Sequence, residues 1–247
     1  MRQNKIKDLV IVIPARYKST RFPGKPLADI FGKSMIRRVW EICTEAIPQE
    51  NVYVATDDTR ISKHCILQNM NCIMTSKKCL TGTDRVIEVS KKIDAKYYIN
   101  VQGDEPVISI SDIRKFILSI KKFPDKILNG MTKITRKVDY SKNSIPKVVF
   151  NKQKELVYIS RSVIPGSKNK KFQNGFRQVC MYSFPKKIIK NIKFYNKKTP
   201  LEKIEDIEIL RFIEHGVPVQ MIELSSSSIA VDYPSDLFRV KRIINEK

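Results

Sequence analysis

Residues 14–27 read P-A-R-Y-K-S-T-R-F-P-G-K-P-L and place Arg16, Lys18, Arg21 and Lys25 within ten residues. Arginine offers planar, paired donors to a phosphate and lysine a point charge. Three prolines stiffen the stretch, and Gly24 lets a backbone come close to a ligand. The chemistry this suits is the holding of a polyphosphate. The order G-x-x-x-x-G-K-[ST] of a Walker loop is absent, as is the dinucleotide signature G-x-G-x-x-G. A basic surface turn is the alternative, and Lys18 is the member that solvation alone explains best.

A second group is Gln102-Gly103-Asp104-Glu105-Pro106. A carboxylate together with triphosphate oxygens is the usual way to hold Mg²⁺. Asp104 is the expected ligand; Glu105 either binds or caps the next segment. Asp232, after the apolar pair Ala230-Val231, is the expected second carboxylate, with a helix N-cap before Pro234 as its alternative. Asp236 suits the first turn of the last helix. Thr81-Gly82-Thr83-Asp84-Arg85 combines small hydroxyl donors with an Asp–Arg pair, a set able to read the edge of a base. Capping alone explains Thr83 or Asp84 equally well. His64 and His215 have no partner at ligand spacing, so neither a zinc site nor a Ser-His-Asp triad gains support.

These residues need elements that bring them together. Leu9–Ile13 is a short β-branched run that suits a buried parallel strand. Ser34 is placed to cap a helix carrying Met35, Ile36, Val39, Trp40 and Cys43. Strands over Asn51–Ala55, Asn71–Met74 and Tyr97–Val101 alternate with helices over Thr59–Met70 and Asp84–Ile93 and from about Ser111. Such alternation predicts a doubly wound, mostly parallel α/β sheet, in which ligands bind beyond the carboxyl ends of strands. The loops at those ends are Pro14–Pro26, Thr56–Asp58 and Gln102–Pro106. The second half suggests a hairpin of Val148–Asn151 with Glu155–Ser160, and a polar loop over Lys168–Asn174. A strand over Val179–Phe184, a helix over Leu201–His215 and a strand over Val217–Leu224 follow. A polar tract, Ser225–Ser228, then precedes a last helix opened by Asp232–Leu237.

The 247 residues show no composition break, so one domain spanning 1–247 is expected. Lys+Arg outnumber Asp+Glu by 47 to 25, a net charge of +22. A nucleic-acid partner would want clustered basic residues with exposed aromatics; here the lysines are dispersed, as surface decoration is. Five cysteines without a C-x-x-C pair suggest free thiols in a reducing compartment. The polar first eight residues precede an apolar run too short for a signal peptide or a membrane span. A cytoplasmic chain with no membrane association is the expectation.

Taken together, V-I-P-A-R-Y-x-S-T-R-F-P-G-K-P-L, V-A-T-D-D, T-G-T-D-R-V-I-E-V, N-V-Q-G-D-E-P, Y-I-S-R-S-V-I-P, P-L-E-K-I-E-x-I-E-x-L-R and V-D-Y-P-S-D-L-x-R-V resemble the 3-deoxy-D-manno-octulosonate (Kdo) cytidylyltransferases. They follow in that family's order from residue 10 to 240. The resemblance implies the nucleotide-diphospho-sugar transferase fold, Mg²⁺ as cofactor, a homodimer, and a place in lipopolysaccharide biosynthesis. The reaction it implies joins CTP and a 3-deoxy-2-ulosonic acid into a CMP-sugar and pyrophosphate. By the same likeness Arg16 and Lys25 would hold the triphosphate, with Arg21 assisting. Gly82, Thr83 and Arg85 would lie along the nucleotide, and Asp104 and Asp232 would bind Mg²⁺. Gln102, Arg161, Gln178, Tyr182 and Glu208 would meet the sugar acid. Residues of about 9–140 would form the nucleotide part, about 145–215 a smaller β-rich excursion for the sugar and the dimer contact, and about 216–247 the return to the main sheet.

The departures fall on the sugar side. The family's R-H-x-G-I-Y is Arg177-Gln178-Val179-Cys180-Met181-Tyr182 here, a glutamine near the end of the P-L-E motif is Ile209, and a small G-x-G is Ser228-Ile229-Ala230. Glutamine replaces a neutral histidine as a hydrogen-bond partner but never becomes a cation. Kdo leads as acceptor, with an amino-Kdo, a nonulosonate or a capsule sugar acid as alternatives.

Overall fold

Strand β1 (Lys7–Ala15) is buried on both sides: Ile11 and Ile13 face one apolar cluster, Val10 and Val12 the other. A strand without a polar face must lie inside a covered sheet, and β1 does. The computed structural model describes residues 7–168, 175–190, 196–225 and 229–246. The loop expected over Lys168–Asn174 and the tract Ser225–Ser228 fall largely outside these.

After β1 come the short strands β2 (Asp29–Ile30) and β3 (Lys33–Ser34), then α1 (Met35–Ala46), β4 (Val52–Thr56), α2 (Thr59–Leu67) and β5 (Cys72–Met74). Next are α3 (Gly82–Lys92), β6 (Ala95–Val101), α4 (Ile110–Lys122), β7 (Ile127–Lys133) and α5 (Lys137–Tyr140). The chain continues through β8 (Lys147–Phe150), β9 (Leu156–Ser160), β10 (Phe176–Pro185) and α6 (Lys186–Lys190). It closes with α7 (Pro200–Glu205), α8 (Leu210–Glu214), β11 (Val219–Glu223) and α9 (Asp236–Asn245).

The main sheet runs β11-β7-β10-β6-β1-β4-β5, with the β8–β9 hairpin attached to β10. Strands β6, β1, β4 and β5 pair in parallel, as do β7 and β11, while β10 is antiparallel to both its neighbours. Apolar side chains of α1, α2 and α4 cover one face, and those of α3, α6 and α8 the other. A third cluster joins Met35, Val107, Val231 and Val240, with Phe22 packed against it. It docks α9 beside the basic loop. Among the described residues no helix is long and apolar enough to cross a membrane.

Three features differ from the pattern in the sequence. Strand β7 was hidden by Asn129-Gly130, a pair that ordinarily marks a turn. Gly130 is needed for close packing, since a Cβ there would meet Leu224 Cδ1 at 2.9 Å and Val179 Cβ at 3.1 Å. The helix expected over Leu201–His215 is two, because Asp206 turns left-handed at φ 51° between α7 and α8. The stretch 145–215 is only partly an excursion: β8 and β9 form the expected hairpin, but β10 lies inside the main sheet.

Candidate active site

The basic loop leaves the carboxyl end of β1 and folds back at Gly24. Gly24 is left-handed at φ 72°, and its N–H donates to Tyr17 O at 2.9 Å. Glycine adopts this conformation at no steric cost. The turn aims Lys25 inward: Nζ donates to Asp104 Oδ2 at 2.5 Å and to Val231 O at 2.8 Å. Arg21 pairs with Asp232 at 2.9 Å. Val231 N–H donates to Asp104 O at 2.9 Å, so the segments carrying both carboxylates are tied directly. Arg16 and Lys18 are exposed, and Gln102 and Asp104 are half-buried. The loop can follow Gln102 so closely because position 103 is glycine: a Cβ there would lie 2.9 Å from Pro14 O.

Helix α3 starts beside these strand ends. Thr81 and Asp84 form a capping box. The free N-terminal amides of Gly82 and Thr83 donate to the two oxygens of Glu208 at 3.0 and 2.8 Å, and the Thr83 hydroxyl adds 2.6 Å. Gly82 and Thr83, expected along the nucleotide, thus meet Glu208, expected at the sugar. Arg85 is 1% exposed and spent internally, on Asp57 at 2.9 Å and Thr75 Oγ1 at 2.6 Å. It braces the β4 end from within.

The residues expected at the acceptor divide. Arg161 gives its guanidinium to backbone carbonyls, Nε to Glu205 O at 2.5 Å and the terminal nitrogens to Asn143 O and Asp206 O at 3.2 Å. Gln178 is buried and donates from Nε2 to Asn129 Oδ1 at 3.0 Å and to the Tyr182 hydroxyl at 3.1 Å. Tyr182 is 2% exposed; burial foremost, with the Glu208 charge adding to it, holds its hydroxyl protonated far above the usual range. Cys180, half-buried, lies in the field of Glu105, Asp104 and Glu208, and burial foremost pushes its thiol up. Ile209, in contrast, is 1% exposed in the apolar core.

Two features carried no clear signal in the sequence. Arg211 is fully buried between Asp84, at 2.6 Å, and Glu202, which it grips through both carboxylate oxygens at 2.7 and 2.8 Å. This triad locks α3 against α7 and α8, and so fixes Glu208 over the α3 amides. Asn100, fully buried on β6, lies under Gly82 with both amide atoms unpartnered among the described residues. An asparagine inside the apolar run Y-Y-I-N-V was its only trace.

Asp104 and Asp232 are hard oxygen donors on adjoining segments, each now neutralised by a cation of the loop. Among the described residues no group of three or more His, Cys, Asp or Glu is arranged to hold a metal. Two carboxylates fit Mg²⁺ of the kind that takes its other ligands from phosphates and water.

A family model described as cytidylyltransferase matches residues 10–223. A protein of Protochlamydia amoebophila named 3-deoxy-manno-octulosonate cytidylyltransferase is 36% identical, covering 95% of this chain and 93% of its own length. The Escherichia coli protein of the same name is 34% identical over 96% of each. A solved CMP:2-keto-3-deoxy-manno-octonic acid synthetase complexed with CTP superposes with a TM-score of 0.87 at 33% identity, covering 97% of this chain and 99% of that one.

Proposed function

The chain belongs to the 3-deoxy-manno-octulosonate cytidylyltransferase family, and on that premise we propose that it transfers CMP from CTP to the anomeric hydroxyl of Kdo, releasing pyrophosphate. The convergence of Lys25 and Arg21 from the loop after β1, Asp104 after β6 and Asp232 before α9 carries this reading. It brings cations for a triphosphate and carboxylates for a metal into one cleft, as the transfer requires.

The anomeric oxygen forms a bond to the α-phosphorus while the bond to the β-phosphate oxygen breaks and the hydroxyl proton is lost. Catalysis is then mainly positioning and charge neutralisation. Arg16, Arg21 and Lys25 hold the triphosphate, and release of Arg21 and Lys25 from their ion pairs frees those cations and the two carboxylates together. Asp104 and Asp232 are the residues to hold Mg²⁺, which when bound supplies charge neutralisation to the phosphates. Gln102, Tyr182 and Glu208 line the acceptor side. Arg161, spent on carbonyls, shapes that side through the backbone of 205–206.

A homodimer is part of the reading. Val157 on β9, Val163 after it and Ile204 on α7 are 55%, 46% and 77% exposed, apolar side chains of the kind a second copy would cover. Light scattering after gel filtration reads this directly. A cytoplasmic location and supply of an activated sugar acid for lipopolysaccharide complete the proposal.

The test is pyrophosphate release from CTP, with ATP and GTP as controls, against Kdo, an amino-Kdo, a nonulosonate and no acceptor. Release with CTP and Kdo supports the reading. Release with CTP and another acid alone moves the acceptor. No release with any acid overturns the function.

A further inference from the structure

The hydrogen bonds around Gln178 allow only one direction. Asn129 Nδ2 lies 3.1 Å from Val179 O and 3.0 Å from Met181 O, at the bulge where β10 slips against β7. Carbonyls only accept, so Asn129 must present its amino group there and its Oδ1 to Gln178. Gln178 must then present Nε2, whose second hydrogen goes to the Tyr182 oxygen. Its own Oε1 faces the Cys180 sulfur at 3.9 Å. The Tyr182 hydroxyl, already accepting, has to send its proton away from Gln178. Near that hydroxyl lie Glu208 and Cys180, whose sulfur also faces Gln178 Oε1; both residues are half-buried. Sulfur is a weak acceptor, so an oxygen arriving in this cleft is the better taker of the proton.

We infer that Gln178 is a positioning residue of the acceptor site: fixed by Asn129, it makes Tyr182 a one-way donor toward an oxygen of the sugar acid. This deepens the acceptor reading above and rests on it. The row Val12, Asn100, Tyr182, Asn129 across β1, β6, β10 and β7 sets the frame, since these residues lie opposite one another on one face of the sheet. Gln178 itself does not touch the substrate. Its influence passes through the proton of Tyr182, so it selects for an acceptor oxygen at that point and against a donor.

The test is a double-mutant cycle read as separate KM values for CTP and Kdo. Tyr182→Phe keeps the ring that stacks on Phe184, with centroids 6.0 Å apart, and removes the proton. It is expected to raise the KM for Kdo about tenfold or more and to leave that for CTP within about twofold. Gln178→Glu turns the donor into an acceptor that claims the Tyr182 proton, and should match that loss. The two together should do no worse than Tyr182→Phe alone, which a merely structural glutamine would not satisfy. Losses that multiply, or a shift in CTP affinity, overturn the proposal. Gln178→Met, without donors, runs beside them; if neither Gln178 variant folds, an unchanged Kdo KM in Tyr182→Phe still overturns it. Turnover of Kdo by the unaltered chain separates this outcome from failure of the acceptor reading, in which no 2-ulosonic acid is turned over and both fall.

Discussion

Lys25 and Asp104, 79 residues apart, meet at 2.5 Å, and the same Lys25 amine also holds Val231 O at 2.8 Å. One side chain therefore ties the ends of β1 and β6 to the segment before α9. Both partners are mostly shielded, Lys25 at 15% and Asp104 at 28% side-chain exposure. The pair is set where a triphosphate with its counter-ion can replace each half for the other.

Removing the acid should separate chemistry from folding. Asp104→Asn keeps an oxygen for Lys25 but loses the charge a metal needs. Pyrophosphate release should fall by about 10²-fold or more while stability changes by about 1 kcal/mol or less. Steady-state turnover with Mg²⁺ and a thermal melt check this; full turnover would rule out the metal role.

The two clamp cations should not weigh equally. Lys25→Ala strands Asp104 and Val231 O and should lower kcat/KM for CTP about 10²-fold. Arg21 is half exposed and lies 5.5 Å over the Tyr233 ring; Arg21→Ala should cost about tenfold or less. Titration of CTP against each variant at fixed Kdo reads the difference, and equal losses would show the exposed arginine to be as tightly engaged.

Arg211→Met tests the buried triad. It leaves Asp84 and Glu202 without their counter-charge in a dry interior, so urea unfolding should show a loss of about 3–5 kcal/mol. Arg242→Ala, at an 82% exposed ion pair, should stay within about 0.5 kcal/mol. Similar midpoints for the two variants would mean that the triad carries no more than a surface pair.

His64 predicts a pH slope. Its Nε2 lies 2.7 Å from Ser34 Oγ, the oxygen that caps α1 by accepting from Arg37 N. Burial, then the Arg37 charge, lowers its pKa from 6.5. The folded chain thus binds fewer protons than the unfolded one just below that value. The contribution is complete above pH 6.5 and lost as pH falls through the folded pKa. Denaturant midpoints should drop between pH 7.5 and pH 5.5, and His64→Gln should flatten part of that drop. An identical slope in the variant would assign it elsewhere.

The parts legible in the sequence are those fixed by local pattern. The two-sided apolar run of β1, the Ser34 cap, the β8–β9 hairpin and the strand-end loops all follow from neighbours a few residues away. The gathering of Arg21, Lys25, Asp104 and Asp232 was legible too, because the strand-end loops that carry them lie together in a doubly wound sheet. Long-range pairing was not legible. Asn129-Gly130 imitates a turn until the β10 bulge supplies its carbonyl partners. Glu202, Glu205 and Glu208 share a spacing of three but three fates: the buried arginine, the end of β9, and the α3 amides. Arg161 and Gln178 were expected to meet the sugar acid, yet their side chains serve carbonyls and a tyrosine.

Strand β10 also bears on how the chain is made. It lies between β6 and β7 but follows both in the chain, and is antiparallel to each. Until residue 185 has left the ribosome, β6 and β7 each present an open edge. A nascent chain stopped before β10 holds Lys25 and Asp104, but neither Val231 and Asp232 nor the strand that carries Gln178 and Tyr182. Translation order thus supplies β1 to β7 first and closes the gap in the middle of the sheet only when β10 arrives.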